Sequence, residues 1–214
     1  MNAIIVSFYT FRTPYEKEVI NLMDSCGRYR IQADIVGVES KGSWQKNCAL
    51  KPSFILSKLR QWQRPLLWVD ADAVFKQRPD FTDFASCDIS VRMNEFLPKD
   101  HPSRIQSGTI FVQHSAAVMA ILEQWALETD KAVECQEGTL ELWDQRALRD
   151  VLSRNREVEF LPMPLKYAKI FDFDDLFISE KEVIIEHDQA SRRFKKLNAT
   201  QDSKNVISSD HCRH

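Results

Sequence analysis

The sequence predicts an α/β fold: a single domain built on a mostly parallel central sheet. Three observations carry this. Short apolar, β-branched runs recur along the chain. Between them lie segments whose apolar residues repeat at helical spacing. No internal repeat, low-complexity tract or linker-like stretch divides the 214 residues, a length that suits one domain.

Taken in order, residues 3–9 (AIIVSFY) and 31–38 (IQADIVGV) read as strands. Between them, residues 14–26 place Val19, Ile20 and Met23 on one side of a helix, which Cys26-Gly27 is expected to close. Residues 50–63 set Phe54, Ile55, Leu56, Leu59 and Trp62 at helical spacing, and Pro52 is tolerated in a first turn. Arg64-Pro65 breaks that helix, and Leu66–Val69 follows as a fully buried strand. Further strands are expected at 89–92, 109–112, 158–161 and 183–185. Helices are expected at 116–129, with Ser115 as cap, and at 140–152, with Trp143, Leu148, Val151 and Leu152 apolar. Residues 93–106, 162–182 and everything after Leu197 read as loops. The domain is therefore expected to span 1–197, with a polar, frayed tail over 198–214.

Composition narrows the function. Hydrophobic residues make up 43%, charged residues 28%, and the formal net charge is −2, so the overall charge gives no support to nucleic-acid or anionic-membrane binding. No apolar run approaches the roughly 20 residues of a membrane span. The opening AIIVSF is too short for a secretory leader and lacks a cationic start. Five cysteines, odd in number and never paired as C-x-x-C, suit a reducing cytoplasm better than a disulfide framework or a structural zinc site.

The chemistry concentrates in LLWVDADAVF, 66–75. Asp70 and Asp72 stand at the carboxyl end of the most apolar strand, where open α/β sheets bind ligands. Two adjacent carboxylates repel unless something joins them. A shared Mg²⁺ or Mn²⁺, completed by oxygens of a diphosphate substrate, is one solution, and capping of the loop by both aspartates is the plainer one. Two enzyme classes use such a pair. Asp70-Ala71-Asp72-Ala73-Val74 fits the haloacid-dehalogenase-like phosphatases, with Asp70 as nucleophile, Asp72 as acid–base and FDFDD (171–175) as a later acidic pair for Mg²⁺. That motif normally opens its fold, whereas here two strands and two helices precede it.

The second class matches over most of the chain. The sequence resembles the nucleotide-diphospho-sugar transferases of the GT-A fold, and is similar to the retaining glycosyltransferases that include glycogenin and the bacterial lipopolysaccharide galactosyltransferases. The resemblance implies a metal-dependent transfer of a sugar from a nucleotide-diphosphate sugar, by family habit a UDP-sugar, to a glycan, protein or small-molecule acceptor. In SFYT, it implies that Phe8, Tyr9 and Thr10 meet the nucleotide base, although Phe8 could equally pack in the core. Lys51 in LKPSFILSKL would reach the donor phosphates. In QSGTIFV, Gln106 replaces the family's asparagine, and Ser107 and Gly108 would face the transferred sugar. Asp144 and Gln145 of LWDQR would act at the sugar as catalytic residues. His187, ending EVIIEH, would be the third metal ligand beside Asp70 and Asp72, an imidazole that favours Mn²⁺. The family's following glycine and Lys-Pro-Trp are missing from HDQASRRFKK. Arg192, or one of Arg193, Lys195 and Lys196, would take over the diphosphate. Loop 93–106 is the expected acceptor-facing segment.

Overall fold

The structure is a computed structural model that describes residues 2–101, 103–135 and 143–190. A six-stranded sheet forms its centre, in the order β2-β1-β3-β6-β5-β7. The strands are β1 (Ile4–Thr10), β2 (Ala33–Val38), β3 (Leu66–Val69), β5 (Ile89–Met93), β6 (Ile105–Val112) and β7 (Phe160–Pro162). β1 pairs parallel with β2 and β3, and β5 parallel with β7. Only β6, between β3 and β5, runs against the rest. A smaller sheet joins β4 (Ala73–Phe75), β9 (Ile185–His187) and β8 (Lys169–Ile170) in that order.

Alternation along the central strands sorts side chains to two faces. Ile4, Val6 and Phe8 of β1 and Leu66 and Trp68 of β3 face one core, which α3 (Lys51–Trp62), α4 (Ala116–Glu134) and α5 (Trp143–Arg154) cover with Leu59, Ile121, Trp125, Leu148 and Val151. Ile5, Leu67 and Val69 face the other. There α1 (Tyr15–Arg28) packs Val19 and Leu22 beside Phe75, Phe84, Phe111 and Tyr167.

The expected elements over described residues are present, with boundary corrections that have local causes. Helix α1 does not stop at Cys26-Gly27. It continues to Arg28 and ends where Ile31 N–H reaches Cys26 O and Arg30 N–H reaches Gly27 O, with Arg30, not the glycine, in the left-handed conformation at φ 52°. Strand β6 begins four residues before the expected 109. The polar stretch Gln106-Ser107-Gly108 is held by tertiary partners rather than by its own β propensity: Gln106 pairs with Arg92 of β5, Ser107 N–H reaches Gln145 Oε1, and Gly108 O accepts from Asp70 N–H just past the Val69–Thr109 pair that ends the β3 ladder. Helix α4 runs on to Glu134, and β9 sits at 185–187 because Ile184 N–H turns to Lys166 O outside the ladder. The sequence reading lacked a short helix α2 (Trp44–Cys48), capped by Ser43, and the two- and three-residue strands β8 and β4, which are too short to show a period. The start of the helix expected at 140–152, the Trp143 side chain and the tail expected over 198–214 lie outside the described residues.

The reversal of β6 positions the site. Running against β3, it brings its beginning, Ser107–Thr109, to the carboxyl end of β3. Asp70 N–H closes the junction on Gly108 O at 2.8 Å. On the other side, β5 pairs Val91 with Ile110 but Arg92 with Gln106, so Ser107, Gly108 and Thr109 have no partner on β5. Leu59, fully buried where α3 meets the sheet, tests this packing: Leu59→Ala is expected to cost about 2–5 kcal/mol in urea unfolding with the denaturant slope unchanged.

Candidate active site

Beyond the carboxyl ends of β1 and β3 lies a cavity of about 270 Å³, bordered by Lys51, Asp70, Asp72, Ser107, Gly108, Asp144, Gln145 and His187 among others. A second hollow of about 90 Å³, bordered by Phe8, Tyr9, Thr10, Tyr15 and Trp44, adjoins it; Lys51, Asp70 and Asp72 line both. Every expected site residue that the structure describes therefore lies on one or the other, and Arg192 falls outside the described residues with Arg193, Lys195 and Lys196.

Lys51, near the start of the site-facing end of α3, is buried and ties the floor together. Its ammonium lies 3.0 Å from Asp70 Oδ1 and 3.3 Å from Asp144 Oδ2, and it donates to Ser107 Oγ (2.9 Å) and Ser107 O (3.0 Å). Burial alone disfavours a charged lysine, but the two carboxylates outweigh it and raise the pKa above the ordinary lysine value. Its partners among the described residues are the site's own carboxylates and serine.

Around this cation the polar groups are sorted atom by atom. Ser107 Oγ donates to Asp144 Oδ2 (2.8 Å), and Ser107 N–H donates to Gln145 Oε1 (3.0 Å). Trp125 of α4 donates its indole N–H to Asp144 O (2.8 Å), fixing the first turn of α5 against the core. Asp144 Oδ1, although buried, has no hydrogen-bond partner among the described residues. A buried carboxylate oxygen without a donor carries a desolvation cost that an incoming hydroxyl would relieve.

Asp70 and Asp72 are inequivalent. Asp70 accepts from Lys51 and from Trp68 Nε1 (3.0 Å), both at Oδ1, while its side chain stays 37% exposed towards the cavities. Enclosure by the walls pushes its carboxyl above the usual aspartate range, Asp72 adds to the rise, and Lys51 opposes it. Burial acts on Asp72 in the same sense, but His187 and the Ala190 N–H, which reaches Asp72 Oδ2 at 2.8 Å, hold it below that range.

His187 on β9 faces Asp72 because its strand partner Ala73 follows directly after it. Its Nε2 lies 2.7 Å from Thr109 Oγ1 and its Nδ1 lies 3.7 Å from Asp72 Oδ1. With the proton on Nε2 and donated to Thr109, Nδ1 offers a lone pair on the Asp72 side. Gly108 leaves room at this point: a Cβ there would stand 3.4 Å from His187 Cε1, 3.5 Å from Nδ1 and 3.6 Å from Asp70 Oδ2. Among the described residues, no three His, Cys, Asp or Glu side chains are already gathered as a complete metal cage. The donor chemistry, two carboxylates and an imidazole around a space kept clear by a glycine, nevertheless fits a divalent ion whose other ligands come from substrate oxygens.

The first-strand residues divide their duties. Phe8 packs in the core against Phe54 and Trp68, ring centres 5.2 Å away in each case, and also borders the smaller hollow. Thr10 Oγ1 is 2.8 Å from Thr13 Oγ1, shaping the loop into α1, while Tyr9 is half-buried at the hollow. Sequence reasoning missed Trp44, which lines both cavities and donates its indole N–H to Tyr15 OH (3.1 Å). The N-cap serine in GSW was the available signal. It also missed Arg92, which lines the larger cavity and grips Asp174 through both guanidinium nitrogens, at 2.5 and 2.8 Å. That pairing gives no support to the phosphatase reading of FDFDD as an acidic pair for Mg²⁺. Asp174 is spent on Arg92, and Asp175 lies 2.8 Å from Lys169.

Lys51→Met removes the ammonium group that lies between Asp70 and Asp144 while keeping the apolar stem. It is expected to cost about 3–5 kcal/mol in urea unfolding, because both carboxylates lose their counter-charge. A loss below about 1 kcal/mol would mean that Lys51 does not hold the floor.

No protein-family model matches this sequence, and no curated protein does. Among solved structures, the chain is similar to a glycosyltransferase involved in the glycosylation of the major capsid of PBCV-1, with a TM-score of 0.66 over 88% of this chain and 93% of that one, at 12% identity. The similarity is one of fold: the chain has the α/β architecture of a GT-A-type glycosyltransferase.

Proposed function

We propose that the protein is a metal-dependent glycosyltransferase that moves a sugar from a nucleotide-diphosphate sugar, with UDP favoured, to an acceptor, with retention at the anomeric carbon. One observation carries the reading. At the carboxyl edge of a GT-A-type sheet, Asp70, Asp72 and His187 border the same cavity as the Lys51–Ser107–Asp144–Gln145 network.

A diphosphate beside Asp70 and Asp72 would be repelled by both, so binding it there calls for a divalent cation. Asp70, Asp72 and His187 Nδ1 would hold Mn²⁺ or Mg²⁺. When bound, such an ion supplies Lewis-acid stabilisation of the charge that builds on the leaving diphosphate. Thr109 keeps the His187 ring oriented through Nε2. The smaller hollow, with Tyr9, Thr10, Tyr15 and Trp44, takes the nucleoside end. Gly108 lets the donor approach the backbone.

The sugar then lies against Asp144 and Gln145. Asp144 Oδ1 accepts from a sugar hydroxyl, and its fixed negative charge stabilises the positive charge that develops at the anomeric carbon. Lys51 and Ser107 hold the other oxygen, so the carboxylate is set in place before the donor arrives.

Incubation with Mn²⁺ and a panel of UDP- and GDP-sugars is expected to release nucleoside diphosphate from one donor, even without acceptor. Cleavage of a generic phosphatase substrate with no donor bound or turned over would sink this reading. Asp72→Asn is expected to abolish Mn²⁺-dependent donor binding in calorimetry with circular dichroism unchanged; intact binding would place the metal elsewhere. Asp144→Asn keeps the shape but removes the charge, and should lower kcat about 100-fold with donor affinity little altered.

A further inference from the structure

The segment Phe171-Asp172-Phe173-Asp174-Asp175-Leu176-Phe177 is amphipathic the wrong way round. Its buried member is an acid, Asp174, clamped by Arg92 and by the Ile170 N–H, while its apolar side chains face solvent. Asp175 and Glu180 reach the buried Lys169 at 2.8 and 2.6 Å, and Lys169 also meets Glu186 at 2.7 Å. The result is a stretch pinned by charges from beneath, presenting Phe171, Phe173, Leu176 and Phe177. Leu176 is 94% exposed. From the other side, Phe96 of the loop after β5, 83% exposed, meets Phe177 with ring centres 5.9 Å apart. This shelf adjoins the cavity: Ile170 lines it, and the next residue, Phe171, donates its N–H to His187 O.

Pinning apolar side chains outward costs free energy unless something covers them. The exposed charges around the shelf limit what that is. Among the described residues, Glu95, Asp100, Asp172, Asp175, Glu180 and Glu182 outnumber Lys99, Lys181 and the Lys169 that Asp175 and Glu180 share. An anionic lipid surface would be repelled by this surplus of acids. A second copy docking by the same face would set the acids against each other. A polypeptide in which lysine or arginine alternates with apolar residues complements both features.

We propose that this shelf docks a basic, apolar polypeptide segment at the cavity's edge. Naming that polypeptide the sugar acceptor rests on the transferase reading; its docking does not. The test uses the full chain and a fluorescein-labelled peptide of alternating lysine and leucine. Controls are the same peptide with glutamate for lysine, and vesicles of phosphatidylcholine with or without phosphatidylserine. The expected result is saturable anisotropy with the lysine peptide only, weakened by salt and about tenfold weaker for the Phe96→Ser/Leu176→Ser double variant. Mn²⁺-dependent UDP binding by that variant, measured in parallel, should be unchanged, so that loss of docking is separated from failure of the donor site. Peptide binding indifferent to the double variant, preference for either vesicle, or self-association in ultracentrifugation that the variant abolishes would each overturn the proposal.

Discussion

One buried ammonium group organises this site. Lys51 sits where the start of α3, the end of β3, the beginning of β6 and the first turn of α5 converge, and it has a partner on each of the last three. Without a cation there, Asp70 and Asp144 would be negative charges in a poorly hydrated pocket. With it, each carboxylate has one oxygen fixed and one turned to other business. The lysine thereby acts as scaffold, joining three separate elements through its one charge.

The same economy governs the second half of the site. β4 and β9 are only three residues each, yet their pairing places His187 beside Asp72 across more than a hundred positions of sequence. Such short strands are weak in isolation. The buried contacts of Phe75 and Ile185 and the Ala190-to-Asp72 hydrogen bond hold them in register.

How far the sequence could be read follows from this physics. Strands β1 and β3 and helices α3 and α4 were legible because burial imposes a period on apolar residues, and Asp70 and Asp72 because they terminate such a run. Ile105 and Gln106 looked like loop, and only their pairing with Met93 and Arg92 of β5 makes them strand. Trp44 left only its N-cap serine as a signal, because a five-residue helix with no buried member has no apolar pattern. The protein partners of Lys51 were hidden for another reason: a lysine's partners come from tertiary proximity, here across 56 positions to Ser107, and composition does not encode that. FDFDD was ambiguous because alternating acids and aromatics look alike whether the acids hold a metal or an arginine.

The indole of Trp68 donates to Asp70 at 3.0 Å while the Lys51 ammonium stands 5.5 Å from its ring centre. An excited indole senses nearby charge, so this tryptophan is an intrinsic optical gauge of the site. Any ligand that draws Asp70 away from it alters the local field on the ring. Changes in emission would therefore follow occupancy without a label.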